Sequence, residues 1–386
     1  MSGYIEREKA KTMFADIIKR FHDISVDPEG YAREWKKKTG GKVIGTLCSY
    51  APEELIFAAG ALGFRIFGSI AAISRADAHL QAYSCSLVRG ALEDALAHRL
   101  DFIDGMVFPH TCDSIQRLSD IWRLNAGTGF HLDVVMPVKV DTDSAREYMV
   151  AVIQKCKIEL EQALGRSITD ADLERAVLIY NGIRKKMAAL YTLRKDHPGL
   201  IPGSDLHAVV RASMVMDRNA FLQALTGLVE DLEKRTGAVA GEDKRLLLAG
   251  GVCNLPDLYG LIEGAGGTVV WDDLCTGTRQ LTGSIDISRD LTGAIARRYT
   301  KRAICPAKHR GIKARGDELV RMAKSVKVRG VIYFYLKFCD PHAFDYPYLK
   351  QMLEAEGIPT LLVELEDQVL SKGQLQTRCE AFIEML

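Results

Sequence analysis

Gly105-Met106-Val107-Phe108-Pro109-His110-Thr111-Cys112-Asp113 and Gly330-Val331-Ile332-Tyr333-Phe334-Tyr335-Leu336-Lys337-Phe338-Cys339-Asp340 are the two stretches whose reading decides the fold. Each is a short, continuously apolar run that ends in Cys-Asp. Such a run reads as a buried strand. Working outward from the first, Lys42 to Leu47 is a short buried strand ending at Cys48. Pro52 opens a helix through Leu62, as suits proline in a first helical turn, and Phe64 to Gly68 is the next strand. Cys85 begins a helix that runs to about His98. Asp113 to Trp122 is helical, and Leu132 to Val138 is another strand. Strands alternating with helices imply βαβ units and a parallel sheet.

The pattern then changes. From Ser144 to Arg235 the periodicity is helical only, with Thr169 placed to cap a helix start. The βα alternation resumes at Arg245-Leu246-Leu247-Leu248-Ala249-Gly250-Gly251-Val252-Cys253. That stretch answers Lys42-Val43-Ile44-Gly45-Thr46-Leu47-Cys48, and Pro256-Asp257-Leu258 answers Pro52-Glu53-Glu54-Leu55. The period is far too long for a solenoid. The expected architecture is α/β: two related doubly wound (Rossmann- or flavodoxin-like) parallel-sheet domains with a helical N-terminus and a helical connector. The expected divisions are 1–40 (N-terminal helices), 41–143 (first α/β domain), 144–240 (connector) and 241–386 (second α/β domain). In open α/β sheets ligands sit beyond the carboxyl ends of the strands. Two such edges facing one another would form a cleft.

Composition narrows the class. The 386 residues carry 51 Lys plus Arg against 50 Asp plus Glu, so there is no basic surplus of the kind a nucleic-acid binder shows. The apolar fraction of 47% suits sizeable cores. The first residues lack the apolar core of a signal peptide, and no run of about 18 apolar residues occurs. These features predict a cytoplasmic protein without a membrane span. No phosphate loop follows Gly40-Gly41-Lys42, and Gly250-Gly251 reads as a tight strand–helix turn. Tyr333, Phe334, Tyr335 and Phe338 read as core.

Nine cysteines in a chain without a secretion signal favour metal binding or catalysis over disulfides. Cys85, Cys112 and Cys339 are each expected where a strand gives way to a helix. Three thiolates from different loops could hold an iron–sulfur cubane; buried, inert thiols at strand ends remain the other reading, and no tight C-x₂-C spacing decides between them. Cys156 and Cys379 lie within helical periodicity and read as inert. His110 and His342 flank two of the cysteines, as proton donors or as hydrogen-bond partners of sulfur. Asp113 and Asp340 fit helix caps or first-turn residues.

The chain resembles the 2-hydroxyacyl-CoA dehydratase D-component family, which includes the catalytic subunits of ATP-dependent benzoyl-CoA reductases. The carriers are Gly45-Thr46-Leu47-Cys48-Ser49-Tyr50-Ala51-Pro52-Glu53-Glu54, Tyr83-Ser84-Cys85, His110-Thr111-Cys112-Asp113, Cys275-Thr276-Gly277, Lys337-Phe338-Cys339-Asp340-Pro341-His342 and Gly373-Gln374-Leu375-Gln376-Thr377-Arg378. Val107 to Trp122 and Phe338 to Tyr348 are most similar to the smaller catalytic subunit of the reductases. The resemblance implies a [4Fe-4S] cluster held by Cys85, Cys112 and Cys339, with Cys48 near the open iron or as a fourth ligand. It implies a homologous second catalytic subunit and a separate iron–sulfur ATPase that supplies low-potential electrons, which agrees with the missing ATP motif. The implied reaction is dearomatisation of benzoyl-CoA to a cyclic diene thioester, with His110 or His342 as proton donors. The alternatives are dehydration of a 2-hydroxyacyl-CoA, or small-molecule reduction at a double-cubane cluster with Cys48, Cys253 and Cys305 joining the main three.

Overall fold

The computed structural model describes every residue except 1, 70, 236–243, 253–257, 288–289, 303, 312 and 366–371. Two helices, α1 (Ser2–Val26) and α2 (Pro28–Thr39), precede the first sheet. Asp27 caps α2 by accepting from the Gly30 amide, and Gly40 ends it in the left-handed conformation (φ 67°). The first sheet contains β1 (Val43–Thr46), β2 (Leu62–Arg65), β3 (Gly105–His110) and β4 (Phe130–Val135), all parallel, in the order β2-β1-β3-β4. Interleaved are α3 (Glu53–Ala58), α4 (Ser86–Leu96) and α5 (Asp113–Asn125).

Four helices follow: α6 (Asp143–Leu164), α7 (Asp170–Asp196), α8 (Gly203–Ser213) and α9 (Arg218–Lys234). Thr169 and Asp172 form a reciprocal capping box at the start of α7. The second sheet holds β5 (Arg245–Gly250), β6 (Thr268–Asp273), β7 (Gly330–Leu336) and β8 (Thr360–Leu365), again all parallel, in the order β6-β5-β7-β8. Its helices are α10 (Leu258–Gly264), α11 (Thr278–Leu281), α12 (Leu291–Lys301), α13 (Ala314–Ser325), α14 (Asp340–Ala355) and α15 (Lys372–Glu384).

The two sheets therefore share one topology, with β1, β2, β3 and β4 answered by β5, β6, β7 and β8. This is the doubly wound α/β architecture expected from the repeated strand endings. Every residue of β1 and β2 is buried, as a parallel sheet covered on both faces requires. The strand order reverses direction between β1 and β3, and between β5 and β7. Such a switch point opens a crevice at the carboxyl ends of the strands.

Several boundaries differ from the sequence reading. Helix α3 stops at Ala58, ahead of Gly60 in the left-handed conformation (φ 79°), so β2 starts at Leu62 and ends at Arg65. β4 begins two residues early, because Phe130 pairs with Gly105 in the register set by β3. Cys85 does not follow a strand directly. A long connection with one 3₁₀ turn at Ala76–Ala78 separates it from β2. Gly250 (φ 131°) needs to be glycine, since a Cβ there would lie 1.7 Å from the Phe334 carbonyl oxygen. The adjacent Gly251 amide donates to that same oxygen at 2.9 Å, so the glycine pair is the tight turn read from the sequence.

Candidate functional site

Cys85, Cys112 and Cys339 are the N-cap residues of α4, α5 and α14. None uses its side chain to cap its helix. Each sulfur thus stands at the positive end of a helix dipole, which favours the thiolate. Asp113 and Asp340 occupy the first turns just inside these caps. Cys112 follows β3 and Cys339 follows β7, at the reversal points of the two sheets.

The three thiols sense one another. Burial raises the Cys112 pKa, and the charges of Cys85, Cys48 and Cys305 add to that effect. Burial likewise holds Cys339 well above the usual thiol range, with Cys85 and Cys112 next in effect. Cys85 is raised by burial, against the pull of the Val88 and Leu87 amides. Beside this group stand three more thiols. Cys305 is pushed up to about 12 by burial, with Cys275 and Cys48 contributing, and the Thr111 hydroxyl donates to the Cys48 sulfur at 3.5 Å. Cys253 lies outside the described residues. Cys156 and Cys379 are buried within α6 and α15, away from this gathering.

Among the described residues, no three His, Cys, Asp or Glu side chains crowd a point closely enough to hold a single ion. The donor set fits a larger core instead. The three principal thiols come from separate elements, each at a helix N-terminus, and burial disfavours each as a bare thiolate. A positively charged metal core takes such thiols deprotonated.

The two histidines differ. His342 is buried and places Nδ1 3.2 Å from the Cys339 sulfur, while its Nε2 has no hydrogen-bond partner. Burial, with Arg279 and Arg315 nearby, holds its pKa well below the usual histidine range, so the ring is neutral near pH 7. His110 turns its ring toward β4, where Nε2 lies 2.8 Å from Asp133 Oδ1. Ser119 donates to the same carboxylate at 2.5 Å.

A cleft of about 1160 Å³, counted with its open mouth, begins at Cys112 and is walled by both halves of the chain: Asp113 on one side, and Lys308, Arg315, Asp340, Phe344 and Tyr348 on the other. Lys308 reaches across, its ammonium 3.4 Å from the carbonyls of His110 and Met136. Phe344 and Tyr348 are largely exposed at the rim.

Sequence reasoning missed a buried ionic layer beneath the cysteines. Glu54 pairs with Arg184, lies 3.6 Å from Arg298 and accepts from the Tyr299 hydroxyl at 2.9 Å. Glu53 accepts from Arg218 at 3.3 Å and from Gln280 at 3.1 Å. Burial works against ionisation of Glu54, but Arg184 and Arg298 outweigh it and bring its pKa to about 2. Two acidic residues inside the apolar run Ala51-Pro52-Glu53-Glu54-Leu55-Ile56-Phe57-Ala58 were the available signal. A charge where the pattern demands burial implies a partner.

Paired doubly wound sheets of one topology, with N-cap cysteines following β3 and β7, define the α/β class of this protein. The comparison with known proteins narrows this. Residues 48–386 match the family described as 2-hydroxyglutaryl-CoA dehydratase, D-component, and the chain belongs to it. It is 30% identical over 366 residues to the (R)-phenyllactyl-CoA dehydratase beta subunit of Clostridium sporogenes, covering 95% of this chain and 97% of that one. It is 29% identical over 370 residues to one of the subunits of benzoyl-CoA reductase from Thauera aromatica, covering 94% and 95%. It is 26% identical over 380 residues to the beta subunit of (R)-2-hydroxyglutaryl-CoA dehydratase from Acidaminococcus fermentans, covering 96% and 99%. The family resemblance read from the motifs therefore holds, and the chain is one component of an enzyme family whose named members are subunits. No helix among the described residues is long and apolar enough to cross a membrane.

Proposed function

We propose that this chain is the smaller iron–sulfur subunit of an ATP-dependent acyl-CoA enzyme, and that its reaction is the reductive dearomatisation of benzoyl-CoA. The observation that carries the reading is the placement of Cys85, Cys112 and Cys339 as N-cap residues of α4, α5 and α14, drawn from both halves of the molecule, with side chains that cap nothing. These three would ligate a [4Fe-4S] cluster, with Cys48 beside its open position. Bound there, the cluster supplies single electrons of low potential.

The remaining tasks fall to the chain itself. With its proton on Nδ1, His342 donates to the Cys339 sulfur, which fixes the ligand's orientation and stabilises its negative charge. The neutral ring suits this role better than that of an imidazolium acid. His110, tied to Asp133, sits one residue from Thr111, whose hydroxyl contacts the Cys48 sulfur, and remains the candidate for proton delivery. The cleft at Cys112 offers a route inward, with Lys308 and Arg315 as cationic wall and Phe344 and Tyr348 as aromatic rim. A closed inner end, once the partner subunit covers it, would keep water from a reactive intermediate. A homologous second subunit and an iron–sulfur ATPase complete the system, in keeping with the subunit names of the relatives.

A second reading is dehydration of a 2-hydroxyacyl-CoA, in which the electron is recycled. It is favoured by the 30% identity to the phenyllactyl-CoA dehydratase beta subunit. Anaerobic preparation with co-expressed partners, followed by assays on both substrate types, separates the two. Product formed in step with consumed reductant marks the reductase; product without net consumption marks the dehydratase. Iron analysis of the same preparation gives about four irons per chain for a single cubane and about eight for a double one. Cys112→Ala is expected to lose iron and turnover while still assembling with its partner. Unchanged iron and turnover in that variant would remove the cluster assignment.

A further inference from the structure

Arg65, Arg279 and Arg302 are 1%, 2% and 4% exposed. Nε and Nη1 of Arg65, Nη1 of Arg279 and Nε of Arg302 are buried without a hydrogen-bond partner, while Nε of Arg279 faces Asp273 Oδ1 at 3.1 Å. Arg65 ends β2, Arg279 lies in α11 just past β6, and Arg302 follows α12; Arg302 and Cys275 both act on Arg65, and Cys275 acts on Arg279 as well. Arg65 is the last residue of β2 and is in register with Thr46 of β1, two residues before Cys48. Arg302 grips the residue after Cys48, donating to the Ser49 carbonyl and hydroxyl at 2.5 Å each, with its guanidinium 4.2 Å above the Tyr50 ring. Arg279 lies 3.1 Å from Asp273 and donates to that residue's carbonyl at 2.7 Å, across the turn that carries Cys275.

Their charges are unevenly matched. Asp273 serves Arg279, and also pairs with Arg315 at 2.9 Å. Glu53, the carboxylate with the largest effect on Arg65, is already engaged by Arg218, Tyr180 and Gln280. After burial, the groups that act most strongly on Arg65 are the thiols of Cys48 and Cys275. A buried guanidinium without a counter-charge is strongly unfavourable. A chain that keeps one beside a set of thiols implies that negative charge on sulfur completes it. A metal–sulfur core held by thiolates carries such charge, and gains more of it on reduction.

We propose that Arg65, Arg279 and Arg302 form a fixed positive wall that balances an anionic metal–sulfur centre held by the neighbouring cysteines and raises its reduction potential, with Arg65 as the principal member. This rests on the cluster reading above. The wall stabilises the reduced form more than the oxidised form, because the reduced form carries one more negative charge in a poorly screened interior. These are positioning residues; none is proposed to touch substrate.

The test uses the anaerobically purified complex with its partner subunits, comparing wild type, Arg65→Met and Arg65→Lys. Iron is counted, and the midpoint potential is read by electron paramagnetic resonance during a redox titration. Melting of the metal-free chains is measured in parallel. Arg65→Met is expected to keep its iron and signal but titrate at a lower potential, with Arg65→Lys close to wild type. Metal-free Arg65→Met is expected to melt at or above wild type, since an unmatched buried charge has been removed. Loss of iron from Arg65→Met with retention in Arg65→Lys also supports the wall. An unmoved midpoint in fully loaded Arg65→Met overturns it and leaves the cluster standing. A metal-free Arg65→Met that melts well below wild type overturns it too, making Arg65 a structural residue. Wild type without iron or signal removes the cluster reading and the wall together.

Discussion

Glu54 shows what a single residue does here that its local sequence conceals. It lies in the first turn of a short helix, in a position that normally faces water, yet it is fully buried among Arg184, Arg298 and Tyr299. Its pKa of about 2 is depressed from the ordinary 4.5. The sign follows directly: the carboxylate contributes stability above pH 4.5, and that contribution is lost as pH falls from 4.5 toward 2. Glu54→Gln keeps a hydrogen-bonding group but leaves two buried guanidinium groups with less counter-charge. It is expected to cost on the order of 3 kcal/mol at neutral pH. The difference from wild type should narrow as acid protonates Glu54, which melting curves taken across that interval would reveal. A constant difference at all pH values would mean that the carboxylate charge is not what stabilises. The partners of Glu54 come from 130 and 245 residues away. The sequence could announce that a buried charge needs a partner, but not which of many arginines supplies it. The same holds for Cys275. The resemblance offered Cys48, Cys253 and Cys305 as companions of the main three; Cys305 and Cys48 do act on one another, and Cys275 joins them, brought in by the pairing of β6 with β5.

At the scale of elements, the helices carrying the candidate ligands begin poorly. Cys112 opens α5 in an extended conformation, as an N-cap should, but its side chain accepts no amide hydrogen bond. Serine or aspartate in that position would satisfy one of the free N–H groups and add about 1 kcal/mol. Cys112→Ser is therefore expected to raise the melting temperature of the metal-free chain while reducing its iron content, a separation that calorimetry and iron analysis measure on one preparation. A lower metal-free stability would mean that the sulfur is kept for its packing alone. Elements of this kind were legible. The apolar runs ending in Cys-Asp pointed to β3 with α5 and to β7 with α14, and Thr169 announced α7 as its cap. Where sequence and structure part, tertiary pairing overrules local pattern. β4 starts at Phe130 because β3 offers its edge there, although Phe130 and His131 look like a loop from their neighbours alone. The approach to α4 is obscured for a different reason. Between β2 and α4 there is almost no regular structure among the described residues, and the segment is held instead by Glu93, which accepts from the amides of Ser74, Arg75 and Ala76.

For the whole molecule, the repeat of strand order was foreseeable from paired motifs, but the joining of the halves was not. The principal core is continuous, running from Ile18 and Phe21 through both sheets to Phe382 and Ile383. Helix α7 packs against α3 of the first half and β6 of the second, and α6 packs against both β4 and α12. Lys308 and the bridge between Lys139 and His309 tie the sheets' edges across the cleft. A helical connector that merely linked two domains would leave each able to fold alone. Here α6 and α7 pack on elements of both halves, so each half loses part of its cover without them. A fragment of residues 41–143 would expose the faces of α3 and β4 that rest on α7 and α6, and Glu53 and Glu54 would lose their guanidinium partners. Such a fragment is expected to retain some secondary structure but to show poor amide dispersion and no cooperative melt, whereas the full chain without metal should unfold in a single transition by calorimetry. A fragment that melts cooperatively on its own would mean the halves are independent domains pressed together. The cleft would then open and close by rigid-body motion, instead of standing preformed between two parts of one core.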